Sequence, residues 1–222
     1  MKIYGAAMAA NPRRVRIYLA EKGLEIAQVD FLPPHNELKS PEYLAKNPAG
    51  KIPLLELDDG TCISESAAII EYLEELYPDP PMIGTTLVER AKVRAIERIV
   101  AELFPLCRLY FSNVAPSFLH SVRGISHVPA VAEVIKPSID RNLATLETHI
   151  GKNKFLAGSL PTVADCHFYA LMSAGIEKFN YVIPEQFPRL RQWYLNFSER
   201  PSASAGNGDT GFRHPKNEEA SA

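Results

Sequence analysis

Two short stretches carry residue types that could hold a small charged peptide. In Lys51-Ile52-Pro53 a proline opens an apolar run through Leu54, Leu55 and Leu57; in Ser64-Glu65-Ser66 two hydroxyls flank a carboxylate. The second stretch leads into Ala67, Ile69, Ile70, Tyr72, Leu73 and Leu76 at helical spacing, with Glu71, Glu74 and Glu75 on the wet face. A proline cannot donate to a sheet ladder, so Pro53 belongs at the start of a strand or on an edge. The N-H groups and positive dipole end of a helix start favour an anion. Between the stretches, Asp58-Asp59-Gly60 separates two apolar runs and predicts a hairpin. A strand entered through a proline, next to a helix start bearing Glu65 and Ser66, offers a small peptide both backbone pairing and carboxylate recognition. Either half alone is ordinary edge-proline or helix-cap chemistry; the combination favours a site.

The elements that must position these residues follow from periodicity. Lys2 to Gly5 reads as a strand, Ala6 to Asn11 as a small-residue loop, and Pro12 fits the first turn of a helix over Arg13 to Lys22, stopped by Gly23. Leu24 to Leu32 reads as a second strand, and Ser40-Pro41-Glu42 starts a short helix ending near Asn47. The first 77 residues thus read β-α-β-α-β-β-α, a mixed four-stranded sheet flanked by helices. After a connector with Pro78, Pro80 and Pro81 the pattern is helical: Leu87 to about Ser112, Val128 to Ile150, Thr162 to Phe179 and Pro188 to Glu199. Thr162-Val163-Ala164-Asp165 is a helix-capping pattern. Beyond Arg200 large apolar residues are too few to offset the entropy of ordering, so residues 201–222 are expected to be a loose tail.

Composition bounds the function. A net charge of -2 with 23% charged residues gives no global basic surface, which disfavours nucleic acid. The three cysteines, Cys62, Cys107 and Cys166, are far apart and lack metal-ligand spacing, which favours a reducing compartment and no metal site. Without a secretory start or an apolar run of ~18 residues, the expected place is the cytoplasm, with no membrane partner.

The βαβαββα half with NPAGKIP, the DDGT turn and SESAAIIEYLE, followed by a helical half with TVAD, resembles the cytosolic glutathione transferase family over about residues 1 to 200. The resemblance implies a thioredoxin-like glutathione-binding domain (1–79), an all-helical electrophile-binding domain (86–200), glutathione as co-substrate, a hydrophobic electrophile in the cleft, detoxification as the role, and a homodimer. It also implies that Pro53 is a cis-proline whose preceding Ile52 pairs with the cysteinyl part of glutathione, and that Glu65 and Ser66 hold the γ-glutamyl end. Lys39 and Lys51 fall where similar members place polar or basic groups near the glycine carboxylate, Lys51 being the better placed. The charges agree: Glu65 can pair the ammonium, Ser66 and the helix start one carboxylate, and a lysine the other.

At the catalytic position the sequence departs from the family. Counting back from Arg14 and Val15, the usual Ser or Cys position falls on Ala9; Tyr4 lies one residue short of the tyrosine-type position and reads mainly as a packing aromatic. A free thiol ionises near 8.5, and each unit of depression needs ~1.4 kcal/mol, which helix dipole, backbone N-H groups or a water could supply. LKSPEYLAKN and IPLLELDDGT resemble an atypical yeast-type branch that also lacks the usual residue and in which a water held by the second domain takes the thiol proton. By that analogy Tyr110, Ser112, Asn113, Ser117 or His120 could hold the water, Ser112 and Asn113 falling nearest. Each is equally an ordinary helix-end polar residue. The leading expectation is a transferase adding the glutathione thiolate to a hydrophobic electrophile. The contrasting one, motivated by Ala9, is a non-catalytic module of the same fold, and a cysteine-type reductase is disfavoured for want of the thiol.

Overall fold

The computed structural model describes residues 1–6, 9–32, 36–114 and 126–205. Its first half runs β1 (Lys2–Gly5), α1 (Ala10–Lys22), β2 (Ala27–Asp30), a 3-10 turn (Asn36–Lys39), α2 (Pro41–Lys46), β3 (Leu54–Glu56), β4 (Cys62–Ser64) and α3 (Ser66–Leu76). The four strands form one sheet in the order β2-β1-β3-β4, with β1 parallel to β2 and antiparallel to β3, and β3 antiparallel to β4. This is the mixed four-stranded sheet that the crossover helix and the Asp-Gly hairpin predict.

Two boundaries differ from expectation for local reasons. Helix α1 begins at Ala10 because Ala9 is extended (φ -95, ψ 129) and accepts the first helical bond from Arg13 N (3.0 Å), so Pro12 sits inside the first turn where its missing N-H costs nothing. Strand β2 is shorter than Leu24 to Leu32 because the Leu24 amide closes the end of α1 on Leu19 O (2.9 Å), with Gly23 left-handed at φ 66.

The second half is helical: α4 (Leu87–Val114), α5 (Pro129–Ile150), α6 (Val163–Phe179) and α7 (Pro188–Ser198). Helices α4 and α5 continue through Pro105 and Pro137. Gly175 lets α4 and α6 approach closely, since a Cβ there would lie 2.5 Å from the ring of Phe111. The core of this half is aromatic, with Trp193 packed 5.0 Å from Phe168 and 5.5 Å from Phe197.

Helix α6 starts on a closed polar knot. Asp165, fully buried, accepts from Thr162 N (2.9 Å), Thr162 Oγ1 (2.8 Å), Leu156 N (2.9 Å) and Trp193 Nε1 (2.9 Å). Thr162 and Asp165 close the expected capping box, each side chain accepting from the other's amide, and the threonine hydroxyl also donates to the carboxylate.

The first residues after Arg200, expected to be loose, are held in place. Pro201–Ser204 form a 3-10 turn docked on α1: Arg200 pairs with Glu21 (2.6 Å), Ser202 Oγ also donates to Glu21, and Ala203 O accepts from Arg13 (3.3 Å). Side-chain and backbone hydrogen bonds supply here what apolar residues do not. Residues 206–222 lie outside the described residues.

Candidate functional site

Strand register brings the chemistry-bearing residues together. Tyr4 pairs with Leu54, and Leu54 with Ser64, so the outgoing ends of β1 and β4 flank the incoming end of β3. One step beyond that row lie Gly5, the Ile52-Pro53 turn and Glu65. Helix α1 starts a short loop after β1, and α3 starts immediately after Glu65, so two helix N-termini point their N-H groups at the same end of the sheet. Neither start has a side-chain cap.

The turn before β3 is fixed from outside. Tyr43 Oη and Asn47 Nδ2 of the α2 region each donate to Lys51 O at 2.7 Å, and Gly50 takes φ +58 with its Cβ position 3.0 Å from Leu38 O. The Ile52-Pro53 peptide is cis, Pro53 is buried, and no hydrogen bond among the described residues engages the amide or carbonyl of Ile52. Packing of this loop on the Asn36–Lys39 turn brings the Lys39 and Lys51 segments side by side, both lysines exposed.

Glu65 is exposed and held at φ 67, a conformation unusual for a residue with a Cβ. Next to it Ser66 is buried, and its hydroxyl has no hydrogen-bond partner among the described residues. Backbone strain beside an unengaged polar group is the pattern of a ligand clamp.

Sequence reasoning missed a buried polar junction that ties the start of α1 to the helical half. Arg14, 4% exposed, lies 3.1 Å from His167 Nδ1 and 3.4 Å from Glu97 Oε1, which is 3.1 Å from the same ring nitrogen. Burial, then Arg14, pushes the His167 imidazolium down to about 4, so the ring is neutral at pH 7. Burial works to raise Glu97, but His167, Arg14 and Arg98 outweigh it and hold the carboxyl at about 2. Burial lowers the Arg14 guanidinium; Glu97 opposes it most strongly, and Glu65 also does. Arg13 makes a two-pronged pair with Glu177 of α6 (2.9 Å each), and Arg16 pairs with Asp30. A legible signal existed: none of these arginines has an acid four residues away in α1, so their partners had to come from other elements.

Several candidates are engaged elsewhere. The Tyr4 hydroxyl donates to Glu56 (2.7 Å) and accepts from Lys46 (3.1 Å), and its ring packs against Phe31 and Tyr43, which makes it a packing aromatic. Ser112 and Asn113 are buried at the end of α4: Ser112 Oγ donates to Leu109 O (3.1 Å), while Asn113 donates to Leu109 O (2.8 Å) and accepts from Val128 N (2.8 Å), stapling α4 to α5. Ser117 and His120 lie outside the described residues. Burial drives the Cys107 thiol up to about 12 and Cys166 well above its usual value, so neither is a nucleophile. Among the described residues, no helix is long and apolar enough to cross a membrane and no group of three His, Cys, Asp or Glu could hold a metal. Two surface cavities, of about 170 and about 380 Å3, lie in the helical half, beside Trp193 and between α4 and α5 respectively. We place the site at the sheet end because the Ile52-Pro53 turn, Glu65, Ser66 and two uncapped helix starts meet there.

Comparison with known proteins agrees with this architecture. Residues 3–81 match the family model of the glutathione S-transferase N-terminal domain, and residues 116–201 that of the C-terminal domain. Glutathione S-transferase 2 of Saccharomyces cerevisiae is 33% identical over 91% of this chain and 87% of its own length. Maleylacetoacetate isomerase of Pseudomonas aeruginosa is 32% identical over 86% of this chain and 88% of its own. The crystal structure of Gtt2 from Saccharomyces cerevisiae superposes with a TM-score of 0.81 at 30% identity, covering 93% of this chain and 100% of that one. Since these matches run through both halves, the chain belongs to the glutathione S-transferase family, in its yeast-type branch, and is a transferase that uses glutathione as co-substrate.

Proposed function

We propose that glutathione lies across the sheet end described above and that its thiolate attacks a hydrophobic electrophile held against the helical half. The observation that carries this reading is the row Tyr4-Leu54-Ser64, beyond which an unengaged Ile52 backbone, the strained Glu65 and two uncapped helix starts share one end of the sheet. Ile52 pairs with the cysteinyl backbone beside Pro53. Glu65 takes the γ-glutamyl ammonium, Ser66 and the α3 start its carboxylate, and Lys51 with Lys39 the glycine carboxylate. Residues 1–79 then bind glutathione and residues 86–200 the electrophile.

Ala9 caps α1 without a hydroxyl, so stabilisation of the thiolate falls to the first-turn amides and to a bound water. Ser112 gives its proton to Leu109 O and keeps a lone pair that can accept from such a water, leaving the water's other proton for the sulfur. Asn113, used at both ends, supports this indirectly by fixing the end of α4. We also infer a detoxifying role, a cytoplasmic location and a homodimer; the supports are the family, the widely spaced cysteines and the near-neutral charge.

The test is calorimetric glutathione binding combined with turnover of a neutral aryl chloride. Micromolar to millimolar binding, weakened by Glu65→Ala, with glutathione-dependent release of chloride, is the expected result. Unchanged affinity in a folded Glu65→Ala protein would remove the site assignment, and binding without turnover would favour the non-catalytic alternative that Ala9 raises.

A further inference from the structure

Helix α4 carries a feature the family assignment does not explain. Helix α4 runs beside α6: Glu97 meets His167 at 3.1 Å, the ring of Phe104 lies 5.9 Å from that of His167, and Phe111 packs on Gly175. Arg13 ties the start of α1 to Glu177 near the other end of α6, so the α1 start and the second half of α4 flank the same part of α6. On the stripe of α4 that faces it, at spacings of seven, four and three residues from Glu97, come Phe104, Arg108 and Phe111. Phe104 is half-buried and Phe111 buried, yet Arg108 between them is exposed.

No hydrogen bond or ion pair engages the Arg108 guanidinium among the described residues. The positions one turn away on its own helix are Phe104, Pro105, Phe111 and Ser112, none acidic. Glu177 of α6 is already held through both oxygens by Arg13. An unpaired planar cation one turn from the half-buried Phe104 is suited to a ligand with a carboxylate on an unsaturated or aromatic frame: the fork reads the carboxylate and Phe104 can take the frame.

We propose that Arg108 is a specificity-determining residue and that the preferred electrophile is an anionic, carboxylate-bearing one. The proposal rests on the reading that the electrophile enters between the two halves. For an aryl chloride the step balances simply: the thiol proton passes to solvent, the sulfur forms a bond to the ring carbon, and chloride leaves with the electron pair of the broken bond.

The full-length protein is compared with Arg108→Ala and Arg108→Lys on 4-chloro-3-nitrobenzoate, which carries one carboxylate, and on neutral 1-chloro-2,4-dinitrobenzene. The expected result for Arg108→Ala is a roughly tenfold fall in kcat/KM on the benzoate, mostly in KM, with less than about a twofold change on the neutral substrate; Arg108→Lys falls between. Equal losses on both substrates, or no loss on the benzoate, would overturn the proposal while leaving glutathione transfer intact. Calorimetry with the two preformed glutathione conjugates decides it independently of turnover. Arg108→Ala should weaken only the carboxylated conjugate, whereas weakening of both, or of glutathione itself, would mean that Arg108 serves the co-substrate instead.

Discussion

Two helix starts in this protein are written with the same chemical alphabet and do opposite things. Helix α6 opens on Thr162 and Asp165, and α3 on Ser64, Glu65 and Ser66. At α6 the carboxylate is fully buried and takes four donors from three parts of the chain. At α3 the carboxylate is exposed, its backbone is left-handed, and the hydroxyl of the adjacent Ser66 has no partner among the described residues. A polar helix start that closes on itself contributes stability, and one left open at a cost in backbone strain is available to a ligand.

The comparison breaks most visibly at Asp165. Asp165→Ala leaves the Leu156 amide, the Thr162 amide and hydroxyl and the Trp193 indole N-H without their acceptor in a closed core. Each buried orphan costs ~1 to 3 kcal/mol, so even with partial rehydration the loss should be about 3 to 5 kcal/mol, read as a lower urea midpoint. Glutathione affinity of the molecules that remain folded should be unchanged. A loss of affinity with unaltered stability would reverse the roles assigned to the two starts.

At Glu65 the opposite split is expected. Glu65→Ala should weaken glutathione binding by roughly 10- to 100-fold, since a charge-assisted partner is lost, and should leave the urea midpoint nearly where it was. Glu65→Gly sharpens the point: it should lose the same affinity and gain about 1 kcal/mol of stability, because glycine takes positive φ without strain. If Glu65→Gly destabilises the protein, the strain argument fails.

These two starts differ in how far sequence could reveal them. The order of β and α elements, Pro53, the DDGT hairpin and both helix starts are local signals, carried by proline geometry, turn chemistry and apolar period, and the sheet follows from them. The Ser64-Glu65-Ser66 stretch was legible as a candidate site because its neighbours in sequence are also its neighbours in the sheet. The clamp of Tyr43 and Asn47 on Lys51 O and the Arg14-Glu97-His167 junction were not, because their partners meet only when distant segments pack. Ser112 and Asn113 show the converse: spacing and analogy selected two polar residues of which the first bonds back to Leu109 within α4 and the second joins α4 to the start of α5.

That hidden junction gives the comparison a pH axis. Since burial and Arg14 hold His167 at about 4 against an ordinary value of 6.5, the unfolded chain binds a proton between those values that the folded chain refuses. Stability from this group is therefore complete above about pH 6.5 and falls as the pH drops towards 4, by ~1.4 kcal/mol per unit at most. Glu97, held at about 2, contributes stability that is present above its ordinary value of 4.5 and is lost only as the pH falls towards 2, so the interval from 6.5 to 4.5 reports His167. The urea midpoint should decline over that interval, and His167→Gln should flatten the decline even if it lowers the midpoint throughout. A slope that survives in His167→Gln would assign the effect to other groups.

The smallest effect is expected at Ala9, where a third helix start, that of α1, lacks any side-chain cap. If its first-turn amides and a water already hold the thiolate, a hydroxyl added at Ala9 replaces stabilisation that exists, and Ala9→Ser should change kcat/KM for a neutral aryl chloride by less than about threefold. Ser112→Ala should then raise the apparent thiol pKa in a rate-against-pH series by a fraction of a unit, because the water loses one acceptor and the charged form loses support. Tyr4→Phe should leave the rate nearly unchanged, since that hydroxyl is committed to Glu56 and Lys46. A rate gain of about a hundredfold or more from Ala9→Ser, with Ser112→Ala silent, would show that the α1 start is open for want of a catalytic group, and that backbone and water alone do not activate the thiol.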